Sequence, residues 1–493
     1  MNIPAITKKH LLFAIVLLLA FTVRALLIIY AQTNGGDWLT YERFADNILH
    51  GNGFSLSDPA SSVIVPSSGG YYPGFPAFIA LVWLLFGKSV MAVLWAQLAL
   101  QILALYWLLN SLLKLTNSIK LVIGAGVLLA LSPLTAGWSR FPLTESLAIT
   151  ASMWFLAEII NSLAVKKLRI LPLAAALAVS IYIRPDTVLM AIAVLPVSMS
   201  LYERKRDAFQ QIIILILLTS VPVTAWMVRN VLIGRAALSM NEGEGAFPIR
   251  GYRAWANTWV VNEYDRADAE FFYPEQTIFH ESKFLTEAES RRARLLIDEL
   301  TTKGISKTQR DSIDARFQAL ANKKILRMGI WIKTELYLIR SYYLLFNPFS
   351  SWGLPLEIKN LDRSAVTKAV NHFDLERINY LLADYKMVIA GKLFIAAYRA
   401  IIFICFLILI LYSALNFFSN NKKESFFDST ILFSASALVM FTRLVFFIKR
   451  STTSYSVMKG RVDLISSRSA LSLLRKQFLL STYYGWFGVK IPR

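Results

Sequence analysis

Residues 11–31 read LLFAIVLLLAFTVRALLIIYA, with Lys8, Lys9 and His10 directly before them. The stretch carries one charge, Arg24. About 20 such residues wound as a helix cross the hydrocarbon core of a bilayer, because a helix satisfies its own backbone where water is absent. A signal peptide begins similarly. This block is longer, lacks a small-x-small cleavage site and is followed by further apolar blocks, so it predicts a retained first helix with its N-terminus inside. The same reading extends outward. The 493 residues are 56% hydrophobic and 17% charged, with mean hydropathy +0.49, whereas a soluble domain has about a quarter of its residues charged.

Composition also excludes classes. The lone cysteine, Cys405, rules out a disulfide framework. The four histidines, His10, His50, His280 and His372, are scattered, and no HxxH, HExxH or CxxC pairing exists for a dedicated His/Cys metal site. The formal net charge of +20 does not mark nucleic-acid binding, since no basic run is interleaved with stacking aromatics. Excess Lys and Arg in a membrane protein collects in cytoplasmic loops.

That rule orders the chain. Residues 32–88 read as an outer loop rich in Gly, Ser, Pro and aromatics, with 74–86 too short for a span and suited to the interface. Spans are expected near 89–112, 119–137, 142–164, 169–184, 186–201 and 208–230. Lys114 and Lys120, then Lys166, Lys167 and Arg169, then Arg204, Lys205 and Arg206 mark inner linkers. The linkers 134–141 and Arg184-Pro185-Asp186 then fall outside. This predicts an all-α polytopic membrane protein whose residues 1–230 form an N-terminal transmembrane core.

Residues 231–385 are polar, with acids and bases in rough balance, and the seventh span puts them outside. Thr286-x-x-Glu289 and Ser306-x-x-Gln309 are capping boxes, each opening a helix, with Gly304 as a stop between them. From Ile313, the residues Phe317, Leu320, Ile325 and Met328 recur at helical spacing. A helical hairpin is expected, its second helix running into 325–346, which is rich in Trp, Tyr and Lys as the membrane interface favours. Residues 386–448 hold two more apolar blocks, 387–418 and 428–448, with Lys422 and Lys423 between them. The count of about nine spans leaves the basic tail 449–493, whose only acid is Asp463, outside.

Acids near helix ends in such a chain default to function, because burying one at mid-helix costs about 2.5–3.5 kcal/mol. Asp37 follows the first span, Glu145 opens the fourth, and Asp186 lies in an outer turn; topology puts all three on one side. The bases there are Arg24, Arg140, Arg184 and Arg229. A phosphate at the lipid boundary favours Arg, which stays charged and binds two oxygens together; alternatively each Arg snorkels and anchors its helix. Asp186 pairs with Arg184 or serves substrate. Glu42 and Asp46 read as a solvated helix face.

DWLTYERFADNILHGNGF and YYPGFPAFIALVWLLFG resemble the first outer loop of GT-C glycosyltransferases, specifically the bacterial family 39-like branch (dolichyl-phosphate-mannose protein mannosyltransferase-like, or Rgt-type). The matching positions are Asp37, Tyr41, Ala45, Gly51, Gly53, Phe54, Pro73, Gly74, Phe75, Pro76 and Gly87. LTESLAI around Glu145 resembles that branch's second acidic motif and IRPD its Arg-containing turn. Trp226, Arg229, Asn230 and Gly234 resemble the motif closing its helical core. The ordered set covers roughly residues 10–240, and the tail departs from the pattern. The resemblance implies an inverting transferase of the bacterial plasma membrane with its site on the periplasmic face. It would move a sugar from a polyprenyl-phosphate donor to a glycan, lipid or protein hydroxyl. Asp37 and Glu145 would be catalytic, Arg184, Arg229 and Arg24 would bind donor phosphate, and Tyr41, Tyr72, Asp186 and Asn230 would position substrate. The resemblance fixes no cofactor, and a divalent metal held with the help of Glu145 stays open. A lipid-linked glycan flippase and a non-catalytic assembly protein are the alternatives.

Overall fold

A computed structural model describes residues 5–33, 37–67, 72–234, 250–261, 269, 277–279, 283–302, 305–346, 354–355, 376, 380 and 383–418. Among these, regular structure is helical apart from isolated bridge residues, which include the antiparallel bridge from Ser55 to Pro66. The membrane core runs α1 (Ala5–Ala31), α2 (Trp38–Leu49), α3 (Gly74–Phe86), α4 (Val90–Thr116), α5 (Ile119–Ala130), α6 (Pro133–Gly137), α7 (Thr144–Ala164), α8 (Ile170–Ile183), α9 (Val194–Leu201) and α10 (Lys205–Leu232). Four helices among the described residues are long and apolar enough to cross a membrane: His10–Ala31, Val90–Thr116, Thr144–Ala164 and Lys205–Leu232. The chain is an all-α polytopic membrane protein.

Helix α7 is the centre. Its apolar window is 78% buried, against 11% for α10 at the periphery. It packs between α4 and α8, while α1 packs on α5 and α10 on α8. Serine side chains start the neighbouring helices: Ser89 accepts from the Ala92 N–H and Ser118 from the Leu121 N–H.

Three expected spans take another form. The span expected at 119–137 breaks, because Ser132 caps a new helix with Pro133 in its first turn. Helix α5 keeps 12 residues, about 18 Å at 1.5 Å per residue and short of a roughly 30 Å core. The expected span 169–184 is α8, of 14 residues, about 21 Å. It stops because Pro185 forces Arg184 into an extended conformation, φ −149° and ψ 115°. The expected span 186–201 begins as a 3₁₀ helix, Pro185–Ala193, before α9. The expected span 428–448 and the tail 449–493 lie outside the described residues.

The polar segment folds around its own core. Helix α11 (Arg250–Ala256) supplies Tyr252 and Trp255, which meet Phe317 of α13 (Lys307–Arg327) and Leu296 of α12 (Glu287–Leu300). Both capping boxes are present, Thr286 with Glu289 and Ser306 with Gln309; Gly304 lies outside the described residues. The Asp314 carboxylate accepts from the Gly251 and Tyr252 N–H groups at 2.9 and 3.1 Å. A Cβ on Gly251 would stand 1.8 Å from the Asp314 carbonyl oxygen, so the α11–α13 crossing needs glycine there. The second helix of the hairpin does not run on unbroken. It ends at Arg327, Met328 turns extended, and α14 (Ile330–Phe346) starts afresh. A last helix, α15 (Lys386–Phe418), reaches the core through the Tyr398 hydroxyl, which donates to the Leu128 carbonyl at 2.9 Å.

Candidate active site

The ends of five elements meet. Gly74 opens α3 against the last turn of α8; a Cβ there would lie 2.6 Å from the Tyr182 carbonyl oxygen. This close approach is why Pro73-Gly74-Phe75-Pro76 carries glycine in second place. Beside it, the Phe75 ring stands edge-on to Tyr41 of α2 at 5.0 Å between centroids. Tyr41 lies near the Arg184 guanidinium.

Arg184 is fully buried, with 0% of its side chain exposed. Its Nη1 donates to Glu145 Oε1 at 2.8 Å, while Nε and Nη2 face the Asp186 oxygens at 3.4 and 3.3 Å. The short contact is the strong one. Glu145 sits in the first turn of α7, where the helix dipole also favours a carboxylate. Thr144 Oγ1 donates to its other oxygen at 3.3 Å. One guanidinium between two carboxylates leaves a single negative charge, which repels a phosphate and suits sugar or acceptor hydroxyls.

Asp37 precedes α2 one helical turn before Tyr41. Its backbone carbonyl accepts from the Thr40 and Tyr41 N–H groups at 3.1 Å, and its side chain does not cap the helix. Arg140 fixes the chain just upstream, donating from Nη1 to the Ala31 carbonyl at 2.7 Å. Tyr72 is half-buried two residues before Gly74, and burial raises its hydroxyl above an ordinary phenol.

The two remaining arginines differ. Arg24 is buried in the core and donates five bonds: Nε to Gln101 Oε1 (2.9 Å), Nη1 to the Ala20 and Ala130 carbonyls (3.0 Å each), and Nη2 to the Leu129 carbonyl (3.2 Å) and Thr135 Oγ1 (2.8 Å). A guanidinium has five N–H donors, so each has a protein acceptor. Leu129 and Ala130 end α5, and their carbonyls have no partner within the helix. Arg24 is what allows α5 to stop early inside an apolar bundle. The structure does not bring it to the Arg184 cluster.

Arg229, near the end of α10, is partly exposed. Its Nη1 donates to the Ser67 carbonyl at 2.6 Å and to Asn230 Oδ1 at 3.1 Å, and Nη2 to the Phe54 carbonyl at 3.2 Å. It lies 4.7 Å from the Trp226 ring centroid. It clamps the loop between α2 and α3, where the Ser67 N–H donates to the Phe54 carbonyl at 2.9 Å. Among the described residues two of its five donors remain for a ligand.

Three buried polar residues escaped the sequence reading. Gln97 Nε2 donates to the Leu143 carbonyl at 3.0 Å and so holds the start of α7 beside Glu145. Gln101, one turn on, bonds Arg24 and donates to the Thr135 carbonyl at 3.2 Å. Glu158 accepts from Trp107 Nε1 at 2.9 Å and pairs with Arg169 at 2.8 Å towards the C-terminal end of α7. A lone acid inside an apolar run, and two amides spaced i, i+4, were the signals. Asp46 pairs with Lys88 at 3.0 Å on an exposed face, as its solvated reading implied.

A metal fits poorly here. Glu145 and Asp186 have a guanidinium between them, and no group of three His, Cys, Asp or Glu gathers among the described residues.

No protein-family model matches the chain, and no curated protein matches it. Two solved structures are similar. One is ArnT from Cupriavidus metallidurans bound to undecaprenyl phosphate: 12% identity, TM-score 0.35, covering 91% of this chain and 78% of that one. The other is the Archaeoglobus fulgidus oligosaccharyltransferase tethered with an acceptor peptide: 12% identity, TM-score 0.33, covering 97% of this chain and 54% of that one. The chain thus spans about half the length of the second.

Proposed function

We propose that the protein is an inverting glycosyltransferase that moves a sugar from a polyprenyl-phosphate donor to an acceptor hydroxyl at the outer membrane face. One observation carries this reading. Glu145, Arg184 and Asp186 form an ionic cluster where the ends of α7 and α8 meet, near Tyr41 of the motif-bearing first loop, whose ring packs on Phe75. Charges buried beside apolar spans are costly and mark function.

Asp37 takes the proton of the acceptor hydroxyl. The acceptor oxygen bonds to the anomeric carbon as the bond from that carbon to the phosphate oxygen breaks, and polyprenyl phosphate leaves with the electron pair. Arg229 stabilises the departing phosphate with its two remaining donors, at the lipid-facing end of α10. Arg184 does not bind phosphate in this scheme; it holds Glu145 and Asp186 in place, and these two accept bonds from sugar or acceptor hydroxyls. Tyr41 and Tyr72 line the same region, Asn230 orients Arg229, and Arg24 supports the scaffold. No step passes through a metal. The resemblance of the first loop to family 39-like GT-C enzymes supports the donor class.

The broken helices at 131–133 and 184–193 are the feature that favours a lipid-linked glycan flippase instead. Membranes containing wild type or Asp37→Asn, given labelled polyprenyl-phosphate sugars, separate the two. Transfer by wild type and a loss of at least 100-fold in Asp37→Asn are expected, in the range of general-base catalysis of about 10²–10⁴-fold. Full transfer by well-expressed Asp37→Asn removes Asp37 from the base role, and no transfer by wild type with any donor favours the flippase.

A further inference from the structure

Helix α14 has two apolar faces. One is buried: Leu336 and Ile339 pack into the core of the polar segment, and Arg340 Nε donates to the Val260 carbonyl at 2.9 Å. At 100° per residue, the opposite side is an arc of about 120° made by Ile330, Trp331, Thr334, Tyr337 and Leu338. All five are exposed, Trp331 at 81% and Ile330 at 71%. The arc carries no charge. Lys333 and Glu335 flank it, and Glu335 is paired with Lys283. The end of α13 extends the same kind of surface with Leu326, 84% exposed, beside Lys323 and Arg327. Single exposed apolar residues are ordinary, but a contiguous uncharged patch with an exposed Trp and Tyr marks a contact surface.

We propose that this face rests on the outer leaflet of the bilayer, giving the polar segment a membrane attachment separate from the helices that cross it. Three features select lipid as the occupant. Trp331 and Tyr337 are the residue types that sit at headgroup depth. Lys323, Arg327 and Lys333 border the apolar arc where lipid phosphates lie, and long cationic side chains reach that layer while their stems stay in apolar surroundings. Helix α14 also packs against α15, whose Met387, Leu393 and Phe394 present an exposed apolar side of their own. The surface of α14 therefore adjoins an apolar helix of 33 residues. Seated this way, the polar segment is held at a fixed height beside the outer helix ends. The inference does not depend on the transfer reaction.

The test places single cysteines in a Cys405→Ser background at Trp331, Leu338, Arg291 and Leu393, labelled with an environment-sensitive fluorophore. The protein is reconstituted in phosphatidylcholine–phosphatidylglycerol vesicles containing doxyl-labelled lipid. Arg291 lies on the exposed charged face of α12, and Leu393, 66% exposed on the apolar helix α15, is the reference. Leu338→Cys covers the case in which Trp331→Cys does not fold. Lipid quenching at 331 and 338 is expected to reach at least half that at 393 and to exceed that at 291 at least threefold. Quenching at 331 and 338 by aqueous iodide but not by lipid overturns the proposal. Quenching by neither also overturns it, since that pattern means a second copy or another segment of the chain covers the face.

Discussion

Replacing Arg184 with Met tests the buried cluster most sharply. Glu145 is 5% exposed and its shortest contact is the 2.8 Å bond from Arg184. Removing one partner of a buried pair costs about 3–5 kcal/mol, because the other charge stays buried and uncompensated. The position of Glu145 in the first turn of α7 returns up to about 1 kcal/mol through the helix dipole. Asp186 adds little to the loss, since its contacts are 3.3 Å and longer and its side chain is 18% exposed. The expected destabilisation is therefore about 2–4 kcal/mol. Glu145→Gln in the same chain removes the stranded charge, so the double variant is expected to recover more than half of that loss. Reversible unfolding in mixed micelles with increasing SDS, followed by far-ultraviolet circular dichroism, gives the three free energies. A single variant as stable as wild type, or a double variant no better than Arg184→Met, would refute the reasoning.

Four other outcomes follow from the same structure. Arg24→Lys is expected to fold poorly, since an ammonium has three donors for five acceptors and each buried carbonyl left unpaired costs about 1–3 kcal/mol; yield of monodisperse protein checks this. Gly74→Ala is expected to cost activity at near-normal expression, by forcing α3 from Tyr182 and moving Tyr41 relative to Arg184. Gly251→Ala is expected to open the polar segment while the membrane core stays folded, read by limited proteolysis. Burial draws Lys324 below an ordinary lysine, against the pull of Glu289 at 2.9 Å. Between that folded value and 10.5, the unfolded chain binds the proton the folded chain has released, so stability of the segment rises with pH there. A denaturant midpoint followed by fluorine-labelled Trp255 should show this rise and lose it in Lys324→Met.

What could be read from sequence was local or periodic. The two capping boxes specify their helix starts through side chain and backbone a few residues apart, and both form. The alternation of Lys and Arg linkers marked where helices turn back, and the acids flanking the opposite turns led to Glu145 and Asp186. What escaped depends on which neighbour a side chain meets. Arg24 read equally as anchor or phosphate ligand until the end of α5, more than 100 residues on, supplied its acceptors. Arg169 read as an inner-loop cation, and from that linker it also pairs with the buried Glu158. Helices α4 and α7 are apolar on most sides, so periodicity alone did not show that Gln97, Gln101 and Glu158 point inward. The early end of α5 was hidden because the apolar run continues past Pro133, whereas the end of α8 was legible in the Arg184-Pro185-Asp186 turn.

The central claim is that a sugar leaves a polyprenyl-phosphate carrier and arrives on an acceptor hydroxyl with its anomeric configuration reversed. Purified protein in liposomes, given donors of known configuration and a hydroxyl acceptor, allows both products to be measured. The account predicts equal amounts of free polyprenyl phosphate and glycosylated acceptor, the new linkage opposite in configuration to the donor. A product of retained configuration, or movement of intact donor between leaflets without release of polyprenyl phosphate, would contradict it.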